Sequence, residues 1–142
     1  MKVKSLLETK SREVVSIDSN YSVEDTIRLM HSKKISAIMV NDKKKTVGIF
    51  TERDVVRCYV SKDKKRFRDI PVKEAMTTNL IAAKKDDDIS NIMSVMVEKN
   101  IRHLPVVERG KVIGMLSVRD IIQAQVSKLT SEIDHLKDYI AG

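Results

Sequence analysis

The sequence predicts a mixed α/β (α+β) fold made of two tandem β-α-β-β-α repeats, and three observations predict it. The chain matches itself at an offset of 66 residues, without a gap, from Val15–Val56 onto Ile81–Ile122. Within each copy the apolar residues alternate between short strand-like runs and helical spacing in the same order. Polar turns recur at matching points between them. The identities are Met30/Met96, Lys33/Lys99, Ile35/Ile101, Val40/Val106, Lys45/Lys111, Gly48/Gly114, Arg53/Arg119 and Asp54/Asp120. Conservative pairs such as Val15/Ile81, Val23/Ile89, Thr51/Ser117 and Val56/Ile122 reinforce the match. Duplication explains this pattern better than chance.

The elements follow in order. A short strand covers Val14–Ile17 and Asp18–Asn20 turns the chain. Ser22 with Asp25 three residues on resembles a capping box, and Val23, Ile27 and Met30 continue at helical spacing. In the second copy Asp88 takes the cap position ahead of Ile89, Met93 and Met96. Ala37–Val40 and Val47–Phe50 flank the polar stretch Asn41–Lys45, which predicts a β-hairpin. Leu104–Val107 and Val112–Leu116 repeat it around Glu108-Arg109-Gly110. A second helix follows at Asp54–Val60, and again from Asp120 onward.

A repeat of ~60 residues buries only ~60% of its unfolded surface and is marginal alone. The pair is therefore the expected unit, with pseudo-two-fold symmetry and clefts where the copies meet. The expected division is 1–60 for the first repeat, 61–74 for a basic linker, 75–125 for the second repeat and 126–142 for a C-terminal helical extension. The linker carries Lys62, Lys64, Lys65, Arg66 and Arg68, and reads either as a solvated connector or as a patch for nucleic acid or a polyphosphate tail.

Composition narrows the function classes. The 142 residues are 42% hydrophobic, enough for a packed core, and they carry a formal charge of +7. That charge favours an anionic partner, while zero Trp and 4% aromatic residues argue against binding single strands by base stacking. One cysteine, Cys58, excludes an intrachain disulfide scaffold. The first thirteen residues, MKVKSLLETKSRE, have no apolar signal-peptide core, and no run approaches the ~18 residues of a membrane span. A soluble, cytoplasmic protein is expected.

Catalytic and metal patterns find little support. His31, His103 and His135 are scattered, and no C-x-x-C or H-x-x-x-H spacing occurs. Neither a G-x-S-x-G elbow nor a Walker loop is present. Cys58 lies in the apolar stretch Val55–Val60 and reads as a small core residue. The run Asp86-Asp87-Asp88 precedes a helix and reads as cap and dipole partners. Met30, Met93, Met96 and Met115 read as packing material. The chain is expected not to be an enzyme and to need no metal or cofactor.

The stretches Gly48-Ile-Phe-Thr51-Glu-Arg53-Asp54 and Gly114-Met-Leu-Ser117-Val-Arg119-Asp120 carry a family resemblance. Ile101-Arg-His-Leu-Pro-Val106 and Val72-Lys-Glu-Ala-Met76-Thr77 add to it. The duplicated pattern resembles the cystathionine-β-synthase (CBS) domain pair, or Bateman module, over roughly residues 1–125. What the resemblance implies is a ligand sensor that binds AMP, ADP, ATP or S-adenosylmethionine in two related clefts and associates into dimers. Thr51 and Asp54, and Ser117 and Asp120, would each line a cleft beside Arg53 and Arg119, with the carboxylate on the ribose hydroxyls. The chemistry agrees: a carboxylate is an acceptor-only group suited to a vicinal diol, at about 1.5–3 kcal/mol per charge-assisted bond. The plainer reading makes Thr51 and Ser117 helix caps and the two aspartates first-turn acids.

By the family pattern the opposite repeat completes each cleft. Thr78, Leu80, Ile81, Arg102, His103 and Leu104 would complete the Asp54 cleft, and Val14, Val15, Ser16, Ser36, Ala37 and Ile38 the Asp120 cleft. The apolar members would sandwich the purine. Arg102 and His103 would meet a phosphate in the first, where the second offers Ser36 and Ala37 with Lys33 or Lys34 nearby, so a phosphorylated adenosine should prefer the Asp54 cleft.

The C-terminal segment is longer than the repeat needs. Ile122, Val126, Leu129, Ile133, Leu136 and Ile140 are spaced 4, 3, 4, 3, 4, an a/d heptad seam. A helix over about Arg119–Ile140 is expected, packing across a homodimer interface or folding back on its own module. The function expected is a regulatory, adenosine-nucleotide-binding module acting on a partner protein. The alternative is a basic nucleic-acid-associated protein using the pair as a dimeric scaffold.

Overall fold

The computed structural model describes residues 1–9, 13–61 and 65–141. In chain order the elements are α1 (Val3–Glu8), β1 (Ser16–Asp18), α2 (Val23–Lys33), β2 (Ala37–Asp42), β3 (Lys45–Thr51), α3 (Glu52–Ser61), α4 (Ile89–Lys99), β4 (His103–Glu108), β5 (Lys111–Ser117) and α5 (Val118–Ala141). Short 3-10 turns at Phe67–Asp69 and Val72–Glu74 lie between α3 and α4. Lys62 and Lys64, part of the basic run, fall outside the described residues together with Asp63. Two compact units form: Glu13–Ile81, and Met1–Arg12 with Ala82–Gly142.

In the first unit β1 runs parallel to β2, which pairs antiparallel with β3. Helix α2 starts where the Ser22 hydroxyl accepts from the Asp25 amide at 3.0 Å. It ends at Lys34, in the left-handed region at φ 56°. The hairpin turns on Lys43 and Lys44, both left-handed at φ 50° and 69°, as a two-residue type I′ turn requires. Ile17, Val23, Met30, Ile38, Val40, Phe50 and Cys58 form the core, and Ile70 and Val72 complete it at 0% exposure. The segment 61–74 is thus not only a polar connector. Ile70 O accepts from Val23 N, Val72 N donates to Tyr21 O and Lys73 N to Ser19 O, so its second half closes this unit.

The second unit repeats the plan. β4 and β5 form a hairpin with a register shift between Val106 and Val107, matching the shift between Val40 and Asn41 in the first. The strand equivalent to β1 is reduced to one parallel bridge, Ala83 to Val106, 66 residues on from the Ile17–Val40 pair. Asp88 occupies the N-cap of α4 without a side-chain cap bond and pairs instead with Lys2 at 3.0 Å. Asp87 accepts from the Lys84 amide at 2.8 Å. The acidic run therefore ties down a loop and the chain start more than it caps a helix. Met30 and Met96 are core residues, whereas Met93 is exposed, so the methionine set is not uniformly packing material.

Helix α1 explains why the chain start groups with the second repeat. Met1 O accepts from Ile89 N, Val3 N donates to Asp87 O, and Lys4 N donates to Lys85 O. These are the bonds that Ile70, Val72 and Lys73 make in the first unit, now at an offset of 69 residues. Each body is closed by an arm of the form x-x-Val-Lys, supplied by Met1–Lys4 in one and Ile70–Lys73 in the other.

Candidate functional site

The two strand-to-helix corners, β3 into α3 and β5 into α5, place the matched aspartates. At the first corner Thr51 N donates to Asp54 Oδ2 at 2.9 Å, and Thr51 Oγ1 lies 3.3 Å from the same oxygen. At the second, Ser117 N donates to Asp120 Oδ2 at 2.9 Å and Asp120 N donates to Ser117 Oγ at 3.1 Å. In both corners the acid three residues past the cap reaches back to its amide, but the full capping box is seen at the second, where Asp120 N also donates to Ser117 Oγ, whereas Thr51 Oγ1 faces the Asp54 carboxylate. The plainer reading is realised at Ser117, and at Thr51 only in the acid's half of it. It does not exhaust the carboxylates, because each has a second oxygen.

The second oxygens have different surroundings. Asp54 is 1% exposed, and its Oδ1 accepts from Thr77 Oγ1 at 2.9 Å and from Arg57 Nη1 at 2.8 Å. Thr77 arrives because its strand-like backbone exchanges two hydrogen bonds with Ile49, directly beside Gly48. A Cβ on Gly48 would lie 2.9 Å from Thr77 O and 2.5 Å from Met76 Sδ, so only glycine admits that approach. Asp120 is half-buried and lines a groove of about 830 Å³ in the second unit. Ser5 of α1, Thr9 at its C-cap, and Gln123, Ser127 and His135 of α5 line it as well. Sequence reasoning missed Arg57 and Thr77. Arg57 was findable as the helical i+3 neighbour of an acid.

The remaining expected residues are placed as follows. In the first unit Thr78, Arg53 and Ser16 are exposed, and Leu80, Ile81, Val14, Val15 and Ser36 are half-buried. Ser36 shares a hollow of about 570 Å³ with Lys34 and His31. In the second unit Arg102 and Arg119 are exposed and His103 is half-buried. Ile38 and Leu104 have 0% exposure and Ala37 8%, so in this conformation all three pack in the protein interior. Among the described residues no group of three His, Cys, Asp or Glu could hold a metal, and no helix is long and apolar enough to cross a membrane.

Comparison with known proteins gives these corners a family setting. The profile of the CBS domain matches residues 3–61 and 72–127. A CBS-domain-containing protein from Agrobacterium tumefaciens has a crystal structure similar to this chain, at 32% identity and TM-score 0.83 over 88% of this chain and 99% of that one. The CBS domain pair of protein MJ0100, solved with 5′-methylthioadenosine and S-adenosyl-L-methionine, is 25% identical with TM-score 0.78 over 90% of this chain and 98% of its own. The CBS domain-containing protein YhcV of Bacillus subtilis is 24% identical over 123 residues, 87% of this chain and 86% of that protein.

Proposed function

The chain belongs to the CBS-domain family, and on that footing we propose that it is a non-catalytic regulatory module. It binds an adenosine derivative at its two S/T-x-x-D corners and passes the bound state to a partner protein. The observation that carries this reading is the twin corner, with the same 2.9 Å amide-to-carboxylate bond holding Asp54 and Asp120 at the head of a helix. The ligands of the MJ0100 pair support it, because adenosine is the part that 5′-methylthioadenosine and S-adenosyl-L-methionine share.

In this reading Thr51, Arg53 and Asp54 with Thr78, Leu80 and Ile81 serve the first corner, and Ser117, Arg119 and Asp120 the second. At Asp54 the ribose hydroxyls enter by replacing Arg57, whose side chain is 63% exposed and hydrates readily once released. Thr51 and Thr77 stay in place and keep the carboxylate aimed.

A thermal-shift panel with AMP, ADP, ATP, S-adenosylmethionine and NAD tests the proposal. A ligand at 100 times its Kd stabilises the fold by about 2.7 kcal/mol, and the shift grows with concentration as mass action requires. Stabilisation by at least one adenosine derivative is expected. No shift with any of them, together with salt-dependent binding of DNA or RNA, overturns it in favour of a nucleic-acid scaffold.

A further inference from the structure

Helix α5 carries a second interaction surface beyond the corner at its head. Ile121 is buried in its own unit, but every described residue from Val126 to Ala141 is exposed. The seam residues Ile122, Val126, Leu129, Ile133, Leu136 and Ile140 are each 51–82% exposed, so the stripe does not fold back on its own module. Isolated surface hydrophobes are ordinary, but six on one helix at heptad spacing form an unpartnered face. From the 4-3-4-3-4 spacing, Val126, Ile133 and Ile140 occupy a positions, and Ile122, Leu129 and Leu136 occupy d positions.

The residue types at those positions name the occupant. β-Branched residues at every a and leucine at two of three d positions are the combination that favours a two-stranded parallel coiled coil. The flanking charges agree. Glu132 falls at g and Lys137 at the following e, the two positions that meet between parallel helices in register. By symmetry each dimer would gain two Glu132–Lys137 pairs between chains. In the antiparallel arrangement that aligns the same apolar layers, Val126 meets Leu136 and Leu129 meets Ile133. That arrangement sets Glu132 against the other chain's Glu132, a like-charge contact. We propose that the exposed face of α5 docks on the same face of a second copy of this chain, as a parallel, in-register two-helix coiled coil.

Cross-linking and charge reversal on the full chain test both the partner and the direction. Light scattering across a concentration series should show a dimer, and Ile133→Asp, an exposed position that leaves the units intact, should give a folded monomer. Leu136→Cys should form a 136–136 disulfide between chains on mild oxidation, identified by peptide mass. In the antiparallel alternative those sites lie about ten residues, roughly 15 Å, from each other along the axis. Glu132→Lys should raise the dimer Kd about tenfold, and adding Lys137→Glu should restore it. A wild-type monomer up to ~100 μM, a dimer that survives Ile133→Asp, no 136–136 link, or a double variant as weak as the single one would each overturn the proposal.

Discussion

Asp54→Ala should unfold this protein far more readily than Asp120→Ala, although the two residues are the same member of a duplicated motif. At 1% exposure Asp54 accepts from the Thr51 amide, the Thr51 and Thr77 hydroxyls and the Arg57 guanidinium. Truncation orphans the Thr51 N–H, a cap loss of about 1 kcal/mol. It strands the Thr77 hydroxyl beside a new void, at roughly 1–3 kcal/mol. The Arg57 bond adds only ~0.2–1 kcal/mol, because its guanidinium end is mostly in water. The sum is about 2–5 kcal/mol. At roughly 4 °C per kcal/mol for a chain of this size, the midpoint should fall by some 8–20 °C. At Asp120 water reaches the half-buried corner and replaces lost partners, so about 1 kcal/mol and ~4 °C is expected. Paired thermal and urea unfolding curves measure both. Equal losses within 1 kcal/mol would refute the argument that burial and the Thr77 contact make Asp54 the costlier carboxylate to remove. The result also dictates how ligand binding is tested, with Asn in place of Ala at position 54 and well below the midpoint.

Three further outcomes follow from residue pairs that the duplication sets side by side. Gly48→Ala should cost about 2 kcal/mol or more, because its Cβ meets the Thr77 carbonyl, whereas Gly114→Ala should cost less, because its Cβ meets the mobile end of Leu7 at 2.6 Å; chemical denaturation compares them, and equal costs would refute the backbone-clash argument. Lys44→Gly should stabilise the first hairpin by about 1 kcal/mol, since Lys44 holds φ 69° where the second copy has Gly110 at φ 77°; an unchanged or lower urea midpoint would show that the turn is not strained. Arg57→Gln, which copies the Gln123 found at the matching position, should tighten binding of uncharged adenosine at Asp54 several-fold by removing the donor it displaces; calorimetry giving weaker binding would place Arg57 on the ligand instead.

Much of this architecture could be read in the chain because the apolar spacing and the turn residues agree with each other twice over. The hairpins around Lys43-Lys44 and Arg109-Gly110, the Ser22 cap and the long final helix all follow from local rules. The closing arms did not, for two reasons. Helix α1 spans six residues, too few to establish a period. The arms match at an offset of 69 rather than 66, so an ungapped comparison passes over Met1–Lys4 and Ile70–Lys73. That same shift hid Ile70 and Val72 inside a segment whose lysines and arginines made it look like a connector. At the corners, residue types identified Asp54 and Asp120, but the difference between them lay in Thr77. Its approach depends on the bare face of Gly48, a tertiary contact with no local signature.

Asp120 stands in the first turn of α5, and the heptad seam occupies the rest of the same helix, 24 residues or about 36 Å long. The proposed ligand corner and the proposed dimer face are therefore two ends of one rigid element. If pairing with a second copy fixes the direction of α5, the corner at its head is fixed with it, and a ligand that selects one direction must favour or oppose pairing. Linkage then requires the effect to be reciprocal. Ile133→Asp should change affinity at the Asp120 corner by some factor while leaving the Asp54 corner unaltered, and saturating adenosine or AMP should shift the dimer dissociation constant by that factor squared, because each dimer holds two such corners. For a typical coupling of 1–3 kcal/mol the factor is roughly 5- to 150-fold. Sedimentation with and without nucleotide gives one side of the cycle, and titration of Ile133→Asp in an Asp54→Asn background gives the other. A dimer constant indifferent to saturating nucleotide would break the argument, since a helix that senses both partners cannot report only one of them.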